Sequence, residues 1–162
     1  MSAELTTIEI LGLAIRSEEE AAAFYGSMAK RIQNGLARAK FEALAKEEAS
    51  HRKLLVDLYR KVSGEEKPPH IPGHPAVAEG GSVPVETGSI EQLLGIAIGR
   101  EERARDFYRK HAARMEGVNA RRLLEYLADI EQGHEGMLRL ELEAYLRDRN
   151  WYADKPDIQL VG

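Results

Sequence analysis

Cysteine is absent from the 162-residue sequence. That absence excludes disulfides, thiolate metal sites, iron–sulfur ligation and cysteine nucleophiles. Long hydrophobic runs are missing too. The one apolar stretch near the N-terminus, IEILGLAI (8–15), is soon followed by EEE (18–20), has no basic segment ahead of it and is too short to span a bilayer. A cytoplasmic protein is the expectation. Charge of one sign is not in excess: the net charge is −4 with acids and bases interspersed, which argues against a nucleic-acid or anionic-membrane surface. What remains, 43% hydrophobic and 31% charged residues, is the composition of an ordinary globular chain long enough for a single domain.

What the sequence does contain is a repeat. Displaced by 83 residues, it aligns with itself without a gap: AIRSEEEAAAFY (14–25) lies over AIGREERARDFY (97–108), and LAKEEASH (44–51) over LADIEQGH (127–134). Between 11–55 and 94–138, 19 of 45 positions are identical, where composition alone gives about three. Helix-start signals recur at the same offset, with Thr6 and Glu9, then Ser89 and Gln92, in capping-box form.

Each unit reads as two helices. Ile8, Leu11, Ile15, Glu18, Ala22, Tyr25, Ala29 and Ile32 alternate spacings of three and four, the seam of a bundled helix, and Asn34-Gly35 is read as its end. A second helix runs from about 36 to 62 with Leu44, Glu48, His51, Leu55, Leu58 and Val62 on its seam. The later unit has Leu94, Ile98, Glu101, Arg105, Tyr108, Ala112 and Met115, then Leu124, Leu127, Glu131, His134 and Leu138. The expectation is an all-α four-helix bundle of two pseudo-twofold-related hairpins (about 6–62 and 89–147) in one domain, with a C-terminal tail at 148–162. The join at 63–88, dense in Pro and Gly, is a long crossover: its 26 residues reach up to ~85 Å extended, against ~39 Å for a helix of that length.

Six positions break the apolar seams symmetrically: Glu18, Glu48 and His51, matched by Glu101, Glu131 and His134. A spacing of three puts each Glu-x-x-His pair on one helix face, and antiparallel hairpins bring Glu18 and Glu101 to the same level. Four ionised carboxylates without partners would each cost several kcal/mol to bury. Two divalent cations cancel the four charges, so a dinuclear metal site explains the pattern. Carboxylates with two imidazoles and no thiolate suit iron or manganese, with zinc or cobalt able to substitute. Seam spacing selects Glu18 and Glu101 over their neighbours Glu19 and Glu102. Tyr25 and Tyr108, seven residues after their glutamates, are placed to reach back to ligand carboxylates. Arg105, whose twin is Ala22, is read as snorkelling to the bundle edge, with pairing to Glu101 or Glu102 or the lining of a substrate channel as alternatives. His70, His74 and His111 are read as surface residues. The tail, with Trp151, Tyr152, Ile158 and Leu160 but no helical period, is expected to pack on the bundle or on a second subunit.

The order Glu, Glu-x-x-His, Glu, Glu-x-x-His on an A-I-x-x-E-x-x-A-x-x-F-Y frame resembles the rubrerythrin branch of the ferritin-like di-iron carboxylate superfamily, over about residues 6–145. The resemblance implies two irons bridged by Glu48 and Glu131, with Glu18 and Glu101 terminal and one histidine, His51 or His134, on each. It implies an oxidoreductase that reduces peroxide or dioxygen, and dimers are common among such proteins. Full-length rubrerythrins carry a cysteine-ligated rubredoxin domain that this sequence lacks, so the electron donor is expected to be another protein. They also carry an extra carboxylate one turn after the third-helix glutamate, where Ala104 stands here. The same six ligands are as similar to those of bacterioferritin, so a ferroxidase or iron-handling role is the alternative, with a di-iron hydroxylase of an organic substrate the remaining one.

Overall fold

Thr6 begins the first helix: its hydroxyl accepts the Glu9 backbone N–H at 3.2 Å and itself donates to the Glu9 carboxylate at 3.0 Å. In the computed structural model, which describes residues 4–67 and 84–153, that helix, α1, spans Thr7–Arg31 and is followed by α2 (Gly35–Ser63), α3 (Ile90–Ala112) and α4 (Val118–Arg147). No strand occurs among the described residues. Asn34 caps the start of α2, accepting from the N–H groups of Leu36 and Ala37, rather than closing α1 as its Asn-Gly pairing indicates in the sequence. An Asn before Gly serves either helix end, and here the carboxamide satisfies otherwise unpaired N–H donors of α2. Gly64, at φ 74°, ends α2 in the left-handed conformation that costs glycine least. Ser89 and Gln92 complete a reciprocal capping box at the start of α3.

Two apolar clusters hold the four helices together. One joins Leu11 and Ile15 of α1 to Leu55 and Tyr59 of α2, Tyr108 and Ala112 of α3, and Leu124 and Leu127 of α4. The other joins Tyr25 and Met28, Phe41 and Leu44, Leu94 and Ala97, and Leu138. The end of α2 therefore lies at one end of the bundle and the start of α3 at the other, and the join has the bundle's length to cover. Residues 68–83 of it, with His70 and His74, lie outside the described residues, as do Ile158 and Leu160 of the tail.

Two seam positions shift. The last turns of α2 bury Val56 and Tyr59, whereas Leu58 is half-buried and Val62 is 46% exposed. A straight helix drifts against a repeat of alternating threes and fours, which carries Val62 off the seam. His111, read as a surface residue, is buried against the Phe107 ring at 4.4 Å between centroids. It follows Tyr108 by three residues and so shares its inward face. The tail folds back onto the bundle: the Tyr152 carbonyl accepts from Gln33 and Asn34 N–H, and Glu141 accepts from Trp151 Nε1 and the Tyr152 hydroxyl.

Candidate metal centre

Between the two apolar clusters lies a polar layer. Glu18, Glu48, His51, Glu101, Glu131 and His134 are all at most 7% exposed. Each helix contributes where its seam crosses the bundle's middle: α1 gives Glu18, α2 gives Glu48 and His51, α3 gives Glu101, α4 gives Glu131 and His134. The Glu-x-x-His helices run antiparallel, so His51 faces Glu131 at 3.5 Å and His134 faces Glu48 at 3.0 Å. The imidazole rings stack with centroids 6.0 Å apart.

The six residues form two groups of four, Glu18–Glu48–His51–Glu131 and Glu48–Glu101–Glu131–His134, in each of which one atom per residue lies within 4.8 Å of the others. Glu48 and Glu131 belong to both groups. Both imidazoles turn Nδ1 inward. His51 Nδ1 lies 3.4 Å from Glu48 and 3.8 Å from Glu18; His134 Nδ1 lies 3.2 Å from Glu131 and 3.7 Å from Glu101.

Hydrogen bonding matches this proximity only in part, as between His134 Nδ1 and Glu131 at 3.2 Å. Among the described residues Glu48 Oε1, Glu131 Oε1 and His51 Nδ1 have no hydrogen-bond partner, although Glu48 Oε1 stands 3.0 Å from His134 Nδ1. The atoms are close without being aligned donor to acceptor. An unsatisfied buried polar group costs about 1–3 kcal/mol, and an ion between these atoms would satisfy all of them. The donor set, oxygen and imidazole nitrogen with charge for two divalent ions, fits that use.

The electrostatics describe what the site does with protons alone. Burial, reinforced by the adjoining Glu48 carboxylate and its charge, raises the Glu18 carboxyl well above the usual carboxylate range. Burial and Glu131 do the same to Glu101. Burial also works against ionising Glu48 and Glu131, yet the adjoining Glu18 or Glu101 carboxyl and the two histidines outweigh it and hold these two low. Burial disfavours the His51 imidazolium, but Glu131, Glu18 and Glu48 overcome it and push His51 up to about 12. His134 is raised likewise by Glu101, Glu131 and Glu48 against its burial. Without an ion, Glu18, Glu101 and both imidazoles hold protons more tightly than they would in the open chain, which offsets the charge of Glu48 and Glu131.

Tyr25 and Tyr108 each donate to a site carboxylate, but across the bundle. Tyr25 donates to Glu101 and Tyr108 to Glu18. Both phenols meet inward carboxylates, as their seam positions indicate, but the antiparallel α1–α3 pairing makes the partner the other helix's glutamate and not the one seven residues earlier. Burial and the adjacent carboxylate raise both phenols well above their ordinary value, keeping them donors. Glu19 and Glu102 point outward and pair with Arg52 and Arg139. Arg105 does not reach Glu101 or Glu102; it bonds Glu135 of α4 at 2.9 Å and Asp106 at 3.0 Å.

Three features escape a search for symmetric residues. A cleft of about 10 Å³ between α1 and α3, passing Ser17, Ala21, Arg100 and Ala104, ends on the four carboxylates. Arg100, whose repeat twin is Ser17, stacks on the Phe24 ring at 5.0 Å. Glu47, whose twin is Ile130, accepts a hydrogen bond from His134 Nε2 at 2.6 Å.

Comparison with known proteins places this architecture. The family model described as Rubrerythrin matches residues 9–142. A hypothetical protein from Pyrococcus furiosus is similar in structure with a TM-score of 0.76 and 31% identity, over 88% of this chain and 92% of that one. A protein from Thermotoga maritima, described as ferritin-like and diiron-carboxylate, shares the fold with a TM-score of 0.64 and 22% identity, over 92% of this chain and 99% of that one. No curated protein matches. The family match runs from the first turn of α1 into the last turns of α4 and takes in every converging carboxylate and imidazole, and on that extent the chain belongs to the rubrerythrin family.

Proposed function

We propose that the chain is a non-haem di-iron oxidoreductase, with manganese the alternative metal, that reduces peroxide or dioxygen using electrons from a separate donor protein. Glu48 and Glu131 would bridge the two ions, Glu18 with His51 would complete one position, and Glu101 with His134 the other. The observation that supports this best is the sharing of Glu48 and Glu131 by both four-residue groups. Two adjacent redox-active ions supply the two electrons that reduction of peroxide requires.

The protein's own contribution is placement and exclusion. Tyr25 fixes one oxygen of Glu101 and Tyr108 one oxygen of Glu18, leaving the second oxygen of each directed at the histidines. Each phenol also keeps a proton beside the site. The apolar clusters at either end shut water out along the bundle axis, and the α1–α3 cleft has room for about one water-sized molecule. A passage that narrow leaves no room for an organic substrate and disfavours its hydroxylation. A ferroxidase reading retains one supporting observation: Ala104 lines this cleft where rubrerythrins carry a further carboxylate. A homodimer belongs to the proposal as well.

Anaerobic ferrous titration of metal-free protein tests it, with tight binding expected to level off at about two ions per chain. Faster oxidation of the loaded protein by peroxide than by dioxygen would favour the peroxidase. A plateau near zero would remove the metal reading.

A further inference from the structure

The repeat makes the six inward residues equivalent in pairs, but it does not extend to what holds the histidines from behind. His134 presents Nδ1 to Glu48, Glu101 and Glu131, and its opposite nitrogen, Nε2, meets the Glu47 carboxylate at 2.6 Å. His51 presents Nδ1 inward in the same way. At the place corresponding to Glu47, 83 residues on, stands Ile130, and among the described residues His51 Nε2 has no hydrogen-bond partner. The same inward residue thus has a carboxylate behind it in one half and none in the other.

This difference has a defined chemical effect. An imidazole that offers Nδ1 to an ion must carry its proton on Nε2. A carboxylate accepting that proton fixes the tautomer and the ring plane, and raises the electron-donating power of Nδ1. His51 has to find its tautomer and orientation without such help. We infer that Glu47 makes the two metal positions unequal, so that the position served by His134 fills first and holds its ion, while the position served by His51 fills second and exchanges its ion more readily. Glu47 is then a positioning residue that acts through His134. This rests on the dinuclear reading of the site and adds an order of occupancy to it: one resident ion and one exchangeable ion in a pair whose direct ligands are matched.

Zinc, which undergoes no redox change, is the probe. Titrated into the metal-free full chain against a chromophoric chelator, it should bind in two steps separated ten- to a hundredfold in affinity. Glu47→Ala should weaken the tighter step by that factor and leave the weaker one in place, so that the two merge. Glu47→Gln, which keeps an acceptor but loses the charge, should fall between. The ¹⁵N signal of His134 Nε2 should move with Glu47→Ala while that of His51 stays, which a general loss of stability would not produce. The side chain of Glu47 is 55% exposed, so these variants should fold. Ile130→Glu supplies a separate arm, giving His51 the missing carboxylate, and should tighten the weaker step. Two indistinguishable steps in the unaltered protein, or equal weakening of both by Glu47→Ala, would overturn the inference while leaving the dinuclear centre standing. Absence of any tight zinc step would overturn both.

Discussion

In the first hairpin Glu19, neighbour to the inward Glu18, pairs with Arg52 of α2. In the second, its twin Glu102 pairs with Arg139, and the position equivalent to Arg52 is Glu135, which pairs instead with Arg105. The charges have been rearranged from one hairpin to the other, and each arrangement is locally complete. Inside, the residues themselves have not been rearranged: Glu18, Glu48, His51 and Tyr25 each have an identical twin, and the crossed tyrosine bonds and the two four-residue groups repeat, the Glu47 contact behind His134 being the exception. Surface pairs contribute about 0–1 kcal/mol and can be exchanged freely. A buried carboxylate left without its partner costs several kcal/mol, so an inner residue is not free to change alone. The depth at which the two halves stop resembling each other marks where the site ends.

The strongest way to break this inner symmetry is to remove a residue that both four-residue groups share, and that both ion positions of the proposed centre would use. Glu48→Ala and Glu131→Ala should each reduce bound metal to well below one ion per chain. Glu18→Ala or Glu101→Ala should cost mainly the position it serves and leave about one, consistent with two ions per site. Metal analysis after desalting reads the difference. Equal metal content in Glu48→Ala and Glu18→Ala would count against the bridging assignment.

Protons provide a second lever, which acts on both halves at once. Glu18, Glu101, His51 and His134 all bind protons more strongly in the folded, metal-free chain than in the unfolded one. The stability they contribute is fully present below their unfolded values and is lost as pH rises toward the folded ones, which for His51 is about 12. Glu48 and Glu131 have the opposite sign, and their contribution is lost as pH falls below the ordinary carboxylate range. The metal-free protein should therefore be most stable in mild acid, and its Tm should fall between pH 6 and 9. Divalent ions displace the same protons, so stabilisation by metal should grow over that interval. A metal-free Tm that rose with pH would contradict the assignment of these protons.

How much of this was legible in the sequence follows from the same division between inside and outside. The four helices and the six inward residues were readable because burial imposes a spacing and duplication repeats it: Glu18 was separable from Glu19 by seam position alone. Helix ends were less legible, since Asn34-Gly35 carries the signals of a stop and of a start and only the carboxamide's contacts decide. Contacts across the bundle were not legible. That Tyr25 bonds Glu101 and not Glu18 depends on how the hairpins meet, which periodicity within one helix does not encode. Glu47 was invisible for a different reason: it has no twin, and symmetry was the filter.

The crossed tyrosines give a smaller test of the comparison. Tyr25→Phe removes the donor to Glu101, and Tyr108→Phe the donor to Glu18. Each should cost about 1–3 kcal/mol in the metal-free protein, or several degrees in Tm for a chain of this size. Because the two bonds are related by the pseudo-twofold, the two losses should agree. Metal binding should narrow them, since an ion takes over the orientation of the carboxylate. A large difference between the two variants would place the divergence of the halves deeper than the present contacts do.

The smallest expected effect belongs to Arg105, the one residue on an inward-reading seam position whose twin, Ala22, has no charge. Its guanidinium lies among Asp106 and Glu135 and its side chain is 20% exposed. Among the described residues it makes no hydrogen bond or ion pair with any of the six inward residues. Arg105→Ala should therefore leave the number of bound ions unchanged and lower stability by about 1 kcal/mol, because Glu135 keeps its pairing with Arg139. Part of that loss would come from the aliphatic stem, which packs against the bundle whether or not the charge is paired; Arg105→Met, which keeps the stem, should recover it. Loss of metal from Arg105→Ala would mean that this pairing supports α4 at the level of Glu131 and His134. The boundary between the conserved interior and the freely varied exterior of the repeat would then pass outside Arg105, and the exchange of charges between the hairpins would have to be counted as part of the site.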